Sequence, residues 1–174
     1  YGSRASIIGG CDGTSNVMAG KDFSVNVSGT HAHSWVMSYE NELDAFIDYA
    51  ERFPNACILL VDTYDTLEQG VLNAITVFDN MKEKGIDPDI YGIRLDSGDL
   101  AYLSKEARKM LDEAGHEDAK IVASSDLDEN LISSLKLQGA KIDVWGVGTN
   151  LITSKGDPAF GAVYKLAKID DTPK

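Results

Sequence analysis

The sequence predicts an α/β fold of the parallel (βα)8 barrel type, similar to the TIM barrel and incomplete in this segment. Three observations support this. A unit of apolar strand, polar turn, amphipathic helix and glycine recurs along the 174 residues. The strands are continuous apolar runs, as parallel strands covered on both faces require. The polar residues of each unit directly follow its strand, and that edge binds ligands in parallel folds. An open doubly wound sheet is the alternative.

The elements of these units follow from the spacing of apolar residues and from the glycines. Helices of the units end at Gly85, Gly115 and Gly139, where glycine suits the C-terminal cap. Upstream, a helix is expected at 11–20 with Thr14 or Ser15 as its cap. The strands are predicted at 23–27, 57–61, 90–95, 120–123, 142–147 and 162–169. The remaining helices are predicted at 40–52, 67–85, 100–114 and 129–138.

Composition narrows the classes of function. The chain has 16 basic and 28 acidic residues, a net charge of −12. It therefore lacks the basic surface that nucleic acids or anionic membranes require. Two cysteines, Cys11 and Cys57, form no disulfide framework, which fits a reducing compartment. No leader or membrane-length apolar run is visible, so we expect a cytoplasmic protein.

Two histidines, His31 and His33, follow the strand expected at 23–27. Residues two apart in a strand share a face, so a divalent metal site of the kind found in barrel hydrolases is one interpretation. It needs further ligands, and the remaining histidine, His116, is expected at the opposite end. A second interpretation is one buried and one solvated histidine. A third is a histidine that acts as a nucleophile toward phosphate.

The densest polar cluster is RLDSGDL at residues 94–100. Arg94 can bind a planar carboxylate or a phosphate through two parallel hydrogen bonds. Asp96 and Asp99 can accept from ribose hydroxyls or hold hydrated Mg²⁺, and Gly98 allows close backbone approach. The alternative is structural: Ser97 or Asp99 caps the helix and Arg94 pairs with an aspartate.

Three further loops are expected at the same edge. Backbone N–H groups of GVGTN, residues 146–150, can cradle a phosphate, although two glycines can equally form a tight turn. SSDLDE, residues 124–129, reads mainly as a helix start with Ser125 or Asp126 as its cap. DTYDT, residues 62–66, is ambiguous in the same way.

In order, the chain carries GGCDGTSNVMAG, GTHAHSWV, LLVDTYDT, GIRLDSGDL, ASSDLDE, GVGTNLIT and FGAVYKL. This series resembles the nicotinate phosphoribosyltransferase family, over essentially the whole chain. The resemblance implies synthesis of nicotinate mononucleotide and pyrophosphate from nicotinate and phosphoribosyl pyrophosphate, coupled to ATP hydrolysis, in NAD salvage.

The resemblance also implies roles for individual residues. His33 matches the histidine that ATP phosphorylates, while His31 receives no chemical role. Arg94 matches the arginine expected to bind the nicotinate carboxylate. The segment beside ribose and pyrophosphate comprises Asp96, with a catalytic role, Ser97, Gly98 and Asp99. The 5′-phosphate is expected at Gly148 and Thr149 with Ser125 nearby, and Asp62 and Asp65 are assigned supporting roles.

Further expectations concern the assembly and its cofactor. Mg²⁺ is expected with the substrate phosphates and without direct protein ligands. Residues 1–174 are expected to form one barrel domain from the middle of a longer chain, without the N-terminal domain of the family. The intact protein is expected to be a homodimer. The alternatives are a phosphoribosyltransferase for nicotinamide or quinolinate, a metal-dependent barrel hydrolase, and a non-catalytic binding fragment.

Overall fold

The structure is a computed structural model that describes residues 1–153 and 165–174. Four helices precede the first strand: α1 (Gly2–Ile8), α2 (Val17–Phe23), α3 (His33–Met37) and α4 (Glu42–Arg52). The central part alternates strands and helices. In order these are β1 (Ala56–Leu60), a π-helical turn (Thr66–Gly70), α5 (Val71–Glu83), β2 (Ile90–Leu95), α6 (Leu100–Glu113), β3 (Lys120–Ala123), α7 (Glu129–Leu137), β4 (Val144–Trp145) and α8 (Thr149–Ile152). The chain ends in the short strands β5 (Lys168–Ile169) and β6 (Thr172–Pro173).

The central sheet is parallel and its strands lie in the order β1-β2-β3-β4. Each strand therefore pairs with the next one along the chain, and the order does not reverse as it does in a doubly wound sheet. The register pairs Leu60 with Arg94 and Leu95 with Ala123. The described residues form four strands of a parallel sheet and no closed barrel, so the α/β class is confirmed at that level.

One face of the sheet carries the main hydrophobic core. Side chains alternate along each strand, so every second residue points to the same face. Leu59, Ile93 and Ile121 have no exposed surface and belong to one cluster with apolar residues of α4, α5, α6 and α7. Burial of this kind is worth about 25 cal/mol per Å² of apolar surface. The helices thus cover one face and leave Arg94 on the other.

Gly92, in the middle of β2, is required for close pairing with β3. Its φ is +156°, and a Cβ there would lie 1.9 Å from the carbonyl oxygen of Lys120. A similar contact occurs at Gly70, where a Cβ would lie 1.9 Å from the carbonyl oxygen of Val61. This glycine lets the π-helical turn pack directly against the chain that leaves β1.

The free edge of β1 is partly closed by a side chain. Val61 donates its N–H to the backbone carbonyl oxygen of Arg94 in β2 at 3.2 Å, so the N–H of Leu60 points away from β2. That N–H donates to Nε2 of His31 at 3.1 Å. A buried backbone donor requires a partner, and here a histidine ring supplies it.

The N-terminal predictions differ most from the structure. The expected helix at 11–20 instead begins at Val17, because the side chain of Asn16 accepts from the N–H of Ala19 and caps it. The strand expected at 23–27 is wrong. Phe23 is still helical, Ser24 adopts a left-handed φ of 53°, and only an isolated bridge joins Val27 to Thr14. The histidine segment that follows enters a helix, not a strand.

The C-terminal predictions are met in part. The strand expected at 142–147 is only two residues long, and α8 follows it. Of the strand expected at 162–169, residues 162–164 lie outside the described residues. The last two residues, Lys168 and Ile169, pair antiparallel with β6 and not with the parallel sheet. Both cysteines are free, and Cys57 is buried in β1. No helix in the described ranges is long and apolar enough to cross a membrane.

Candidate active site at the carboxyl edge of the sheet

Arg94 is the centre of a hydrogen-bonded network where the parallel strands end. Its Nε donates to Oγ of Ser124 at 2.9 Å, and Nη1 donates to Oγ1 of Thr30 at 2.9 Å. Nη2 donates to Oδ1 of Asp96 at 2.8 Å. Each of the three nitrogens is therefore fixed by a different loop. A guanidinium carries five N–H groups, so one remains on Nη1 and one on Nη2.

Asp96 is held from three sides. Besides Arg94, Oγ of Ser124 donates to its Oδ1, and Nε2 of His33 lies 3.5 Å from its Oδ2. Partial burial acts to raise the pKa of Asp96. The hydrogen bonds from Ser124 and Arg94, together with the charges of Arg94 and His33, outweigh burial and hold the pKa below its ordinary value. A negative charge is thereby fixed beside the pocket described below.

Asp62 fixes the turn that follows β2. Its Oδ2 accepts from the backbone N–H of Asp96 at 2.8 Å and from Oγ of Ser97 at 2.7 Å. Its Oδ1 is buried and has no hydrogen-bond partner among the described residues. Asp62 thus ties the end of β1 to the RLDSGDL segment.

The two histidines lie in different environments. His33 is the first residue of α3, and both of its ring nitrogens have neighbours. Nδ1 is 3.0 Å from Oγ1 of Thr63, and Nε2 faces Asp96. His31 is buried between Phe46 and Tyr49 and accepts from Leu60. Burial lowers the pKa of His31 to about 4. A hydrogen bond with the Ala32 backbone acts to raise this pKa, and the charges of Arg94 and His33 lower it further.

The shared metal site considered for these histidines is not supported. His31 uses its Nε2 for Leu60, whereas His33 faces Asp96. In the described ranges no group of three or more histidine, cysteine, aspartate or glutamate side chains is placed to hold a metal ion. His116 lies near the start of β2, with Nε2 3.1 Å from Asp79, at the opposite end as expected.

Two of the predicted site residues are helix caps. Asp65 accepts from the N–H of Glu68 at the start of the π-helical turn. Asp99 accepts from the N–H groups of Ala101 and Tyr102 and caps α6. Such caps typically contribute about 1 kcal/mol. The structural alternative for Asp99 is therefore observed.

Gly98 precedes this cap with a φ of +76°, which favours glycine. It allows the turn to reverse direction between Ser97 and the helix.

An open polar pocket of about 380 Å³ lies over the ends of β2, β3 and β4. Its lining brings together five residues predicted from the sequence and three others: Arg94, Asp96, Ser125, Gly148 and Thr149, with Ser124, Asp126 and Gly146. In the described part of the chain, the backbone N–H groups of the two loops at Ser125–Asp126 and Gly148–Thr149 donate to no other group. This arrangement can receive an anion that bears several oxygen atoms.

The other predicted residues, Asp62, Asp65, Ser97, Gly98, Asp99 and His33, lie beside this pocket and not in its lining.

Sequence reasoning missed three residues of the network: Thr30, Thr63 and Ser124. Each stands next to a residue that was singled out, at the point where a segment reaches the edge. Ser124 in particular is the first polar residue after β3. Its position could have identified it as a site residue, because a hydroxyl side chain directly after a parallel strand lies near this edge.

Comparison with known proteins places the chain among phosphoribosyltransferases. Residues 6–171 match the model of the nicotinate phosphoribosyltransferase (NAPRTase) family. A nicotinate phosphoribosyltransferase of Bacillus subtilis (strain 168) is 61% identical over 174 residues, covering 100% of this chain and 35% of that protein. One from Dictyostelium discoideum is 41% identical, covering 99% of this chain and 36% of that protein.

Solved structures agree with the sequence comparison. The crystal structure of human nicotinic acid phosphoribosyltransferase matches with a TM-score of 0.73 and 28% identity. That match covers 99% of this chain and 42% of the human chain. The chain spans about a third of the length of the two curated relatives described above.

Proposed function

Because the chain belongs to the nicotinate phosphoribosyltransferase family, we propose that it carries the catalytic edge of an enzyme that makes nicotinate mononucleotide. In the proposed reaction, the ring nitrogen of nicotinate forms a bond to C1 of phosphoribosyl pyrophosphate. The bond from C1 to the pyrophosphate oxygen breaks, and pyrophosphate leaves. The proposal rests on the pocket, where the oriented Arg94 and the ionised Asp96 meet two loops whose backbone N–H groups have no acceptor among the described residues.

Arg94 is proposed to bind the nicotinate carboxylate. Ser124, Thr30 and Asp96 use three of its N–H groups and fix the plane of the guanidinium. The N–H groups left on the two terminal nitrogens can donate in parallel to a carboxylate. Among the described residues that line the pocket, Arg94 is the one basic residue. This favours a substrate with one carboxylate over the dicarboxylate quinolinate, and over neutral nicotinamide, which needs no such partner.

The ribose and its phosphates are proposed to lie across the rest of the pocket. Positive charge develops on the ribose as pyrophosphate departs, and the ionised Asp96 is placed to stabilise it. The N–H groups of Gly148, Thr149 and Ser125, which have no acceptor in the described ranges, would hold the 5′-phosphate. Asp62 accepts hydrogen bonds from Ser97 and from the Asp96 N–H, and so keeps the Asp96 backbone in place. The turn at Gly98 follows, and Asp99 caps α6.

Mg²⁺ is proposed to accompany the pyrophosphate. The residues fit a hydrated ion, because the ionised carboxylate of Asp96 lines the pocket and can accept hydrogen bonds from the waters of the ion. Mg²⁺ usually keeps several of its waters and binds together with substrate phosphates, so no direct protein ligand is proposed. When bound, it would supply positive charge for the leaving pyrophosphate.

His33 is proposed to accept the γ-phosphoryl group of ATP, with release of ADP. Hydrolysis of the phosphohistidine then returns free histidine and inorganic phosphate. The support is geometric, since His33 lies within 3.5 Å of Asp96 and hence beside the substrate pocket. A phosphoryl group there adds negative charge and acceptor oxygens next to the substrate site.

Three properties of the whole protein are also proposed. The four parallel strands, in sequential order, are an arc of a closed (βα)8 barrel. The protein is a homodimer in the cytoplasm, by analogy with what the family resemblance implies. Parts of the longer protein complete the site.

The test is calorimetric binding of nicotinate and of nicotinamide to the complete protein, with Mg²⁺ and phosphoribosyl pyrophosphate present. We expect nicotinate to bind and nicotinamide to bind at least about 100-fold more weakly. Arg94→Ala should abolish the preference. The matched control is Arg52→Ala, because Arg52 is an exposed arginine of α4 that pairs with Asp48 on the surface.

Equal binding of the two bases, or unchanged preference in Arg94→Ala, would contradict the proposed substrate. A protein that binds nicotinamide more tightly would support the alternative base. A folded protein that binds neither would indicate a fragment without catalytic function.

A further inference from the structure

Two separate loops meet at one wall of the pocket and are joined by a single side chain. Asn150 lies on α8, after β4, whereas Ser125 and Asp126 follow β3. Nδ2 of Asn150 donates to the carbonyl oxygen of Asp126 at 2.7 Å, with a longer contact of 3.4 Å to that of Leu127. Ser125, Asp126 and the glycines before Asn150 all line the pocket. Asn150 itself does not.

The turn that Asn150 holds is a strained one. Ser125 and Asp126 both have left-handed φ values, 89° and 47°. For residues other than glycine, such conformations cost on the order of 1–3 kcal/mol each and persist only where the surroundings impose them. Leu127, the next residue, is fully buried and anchors one end of the turn. The hydrogen bond from Asn150 fixes the carbonyl group of Asp126, the residue that precedes Leu127.

We propose that Asn150 is a positioning residue for phosphate recognition: its carboxamide holds the Ser125–Asp126 turn against the loop after β4. The spacing between the two loops then matches the phosphate of the phosphoribosyl substrate. The inference rests on the proposed function for the identity of that phosphate. It assigns a role to a residue that touches neither nicotinate nor the reacting carbon.

The chemistry of the bond makes the proposal specific. The carbonyl oxygens of Asp126 and Leu127 only accept, so the residue at position 150 must donate. Aspartate has the same shape as asparagine but no N–H, and its charge would be repelled by those oxygens. Asn150→Asp should therefore release the turn as Asn150→Ala does, although it preserves volume.

The first experiment measures binding of ribose 5-phosphate to the complete protein by calorimetry. We expect Asn150→Asp and Asn150→Ala to weaken binding about tenfold, the effect of one or two lost hydrogen bonds. Asn130→Ala is the matched control, because Asn130 is an exposed asparagine at the start of α7 outside the pocket lining. It should bind as the parent does.

The second experiment measures steady-state kinetics. The KM for phosphoribosyl pyrophosphate should rise about tenfold in both variants. The KM for nicotinate at saturating phosphoribosyl pyrophosphate should change less than twofold, with the melting temperature unchanged. A residue that only stabilises the fold would move both KM values and the melting temperature together.

The outcomes distinguish failure of the role proposed for Asn150 from failure of the proposed function. Unchanged ribose 5-phosphate binding in Asn150→Asp overturns the inference, and so does a parent protein that does not bind this probe. Weakened binding in a protein that fails to use nicotinate supports the inference and contradicts the proposed function. Equal losses for both substrates overturn the positioning role.

Discussion

The two ends of the sheet contain the same kinds of residue in different surroundings. At the amino end, His116 is 3% exposed and packs against Phe78 and Tyr91. The terminal nitrogens of Arg108 at that end donate to the backbone carbonyl oxygens of His116 and Ala119, each at 2.6 Å, and its Nε donates to Asp112 at 2.7 Å. At the carboxyl end, the described partners of Arg94 are side chains of three converging loops, and Arg94 lines an open pocket.

This difference separates a structural cluster from a site. A bond to a backbone carbonyl satisfies the fold and leaves nothing for a ligand. Bonds between side chains around a pocket orient donors and charges that a ligand can use. The residue types alone do not distinguish the two ends, since each has a histidine, an arginine and an aspartate. The terminal nitrogens of the two arginines do, since those of Arg108 donate to backbone carbonyl oxygens and those of Arg94 donate to side chains.

The largest expected effect comes from replacing the two arginines by lysine. Arg94→Lys keeps the charge but loses the planar fork, so kcat/KM for nicotinate in the complete protein should fall about 100- to 1,000-fold. Arg108→Lys should change it less than about threefold and should instead lower stability. Steady-state kinetics and urea unfolding measure the two effects. Similar kinetic losses in both variants would remove the distinction between the two ends.

The next effect concerns the aspartates. Asp62→Ala leaves the Asp96 N–H and Ser97 without their acceptor, so the turn after β2 loosens and kcat/KM should fall about 10- to 100-fold. Asp79→Ala removes the partner of His116 at the amino end and should leave kcat/KM within about threefold. An active Asp62→Ala enzyme with normal kinetics would show that Asp62 does not position Asp96.

A third prediction uses pH, through two buried groups packed near the carboxyl end. The pKa of His31 is lowered to about 4, so the stability that its neutral form contributes is present above about 6.5 and lost as pH falls through 4. Burial raises the pKa of Glu42 to about 7; a hydrogen bond from Asn73 opposes this, and the charges of Asp62 and Asp65 add to it. The stability from its protonated form is present below about 4.5 and lost as pH rises through 7.

These opposite slopes can be separated with Glu42→Gln, which keeps an acceptor for Asn73. Urea unfolding followed from pH 4 to 8 should show the variant gaining about 1–2 kcal/mol over the parent at pH 8. At pH 4 the two proteins should be equally stable. A constant difference across this pH range would mean that Glu42 does not titrate with the fold.

The smallest effect is expected at His116. His116→Phe removes its bond to Asp79 but keeps an aromatic ring between Phe78 and Tyr91. Unfolding free energy should change by less than about 1 kcal/mol, because the partner Asp79 is more than half exposed. Activity should not change. A large loss of activity would show that the amino end takes part in catalysis.

The sequence predicted the central units well because their signals are local. β1, β2 and β3 are apolar runs followed by glycine-terminated helices, and burial of those runs decides both their type and their face. RLDSGDL was singled out because an arginine beside two aspartates at the end of a parallel strand is expected at the ligand edge. Arg94 and Asp96 meet there in the structure.

The rest depended on information that no short window contains. FSVNV alternates as a strand does, but no neighbouring strand pairs with it and Ser24 turns the chain. The caps at Asp65 and Asp99 could not be separated from ligand-binding aspartates, since both uses place a carboxylate after a strand. Ser124 and Thr30 become site residues only because Arg94 reaches them across 30 and 64 positions of sequence.

The contact between His31 and the edge of β1 limits how the sheet can continue. The N–H of Leu60 faces the free edge and is already given to the imidazole. A strand that extends the sheet on this side can form its ladder with β1 only up to Ile58. It would have to diverge before Leu60, where the imidazole ring of His31 takes the place of the next hydrogen-bond acceptor. A strand added at this edge would therefore find no free donor at Leu60, beside the loop that carries His33.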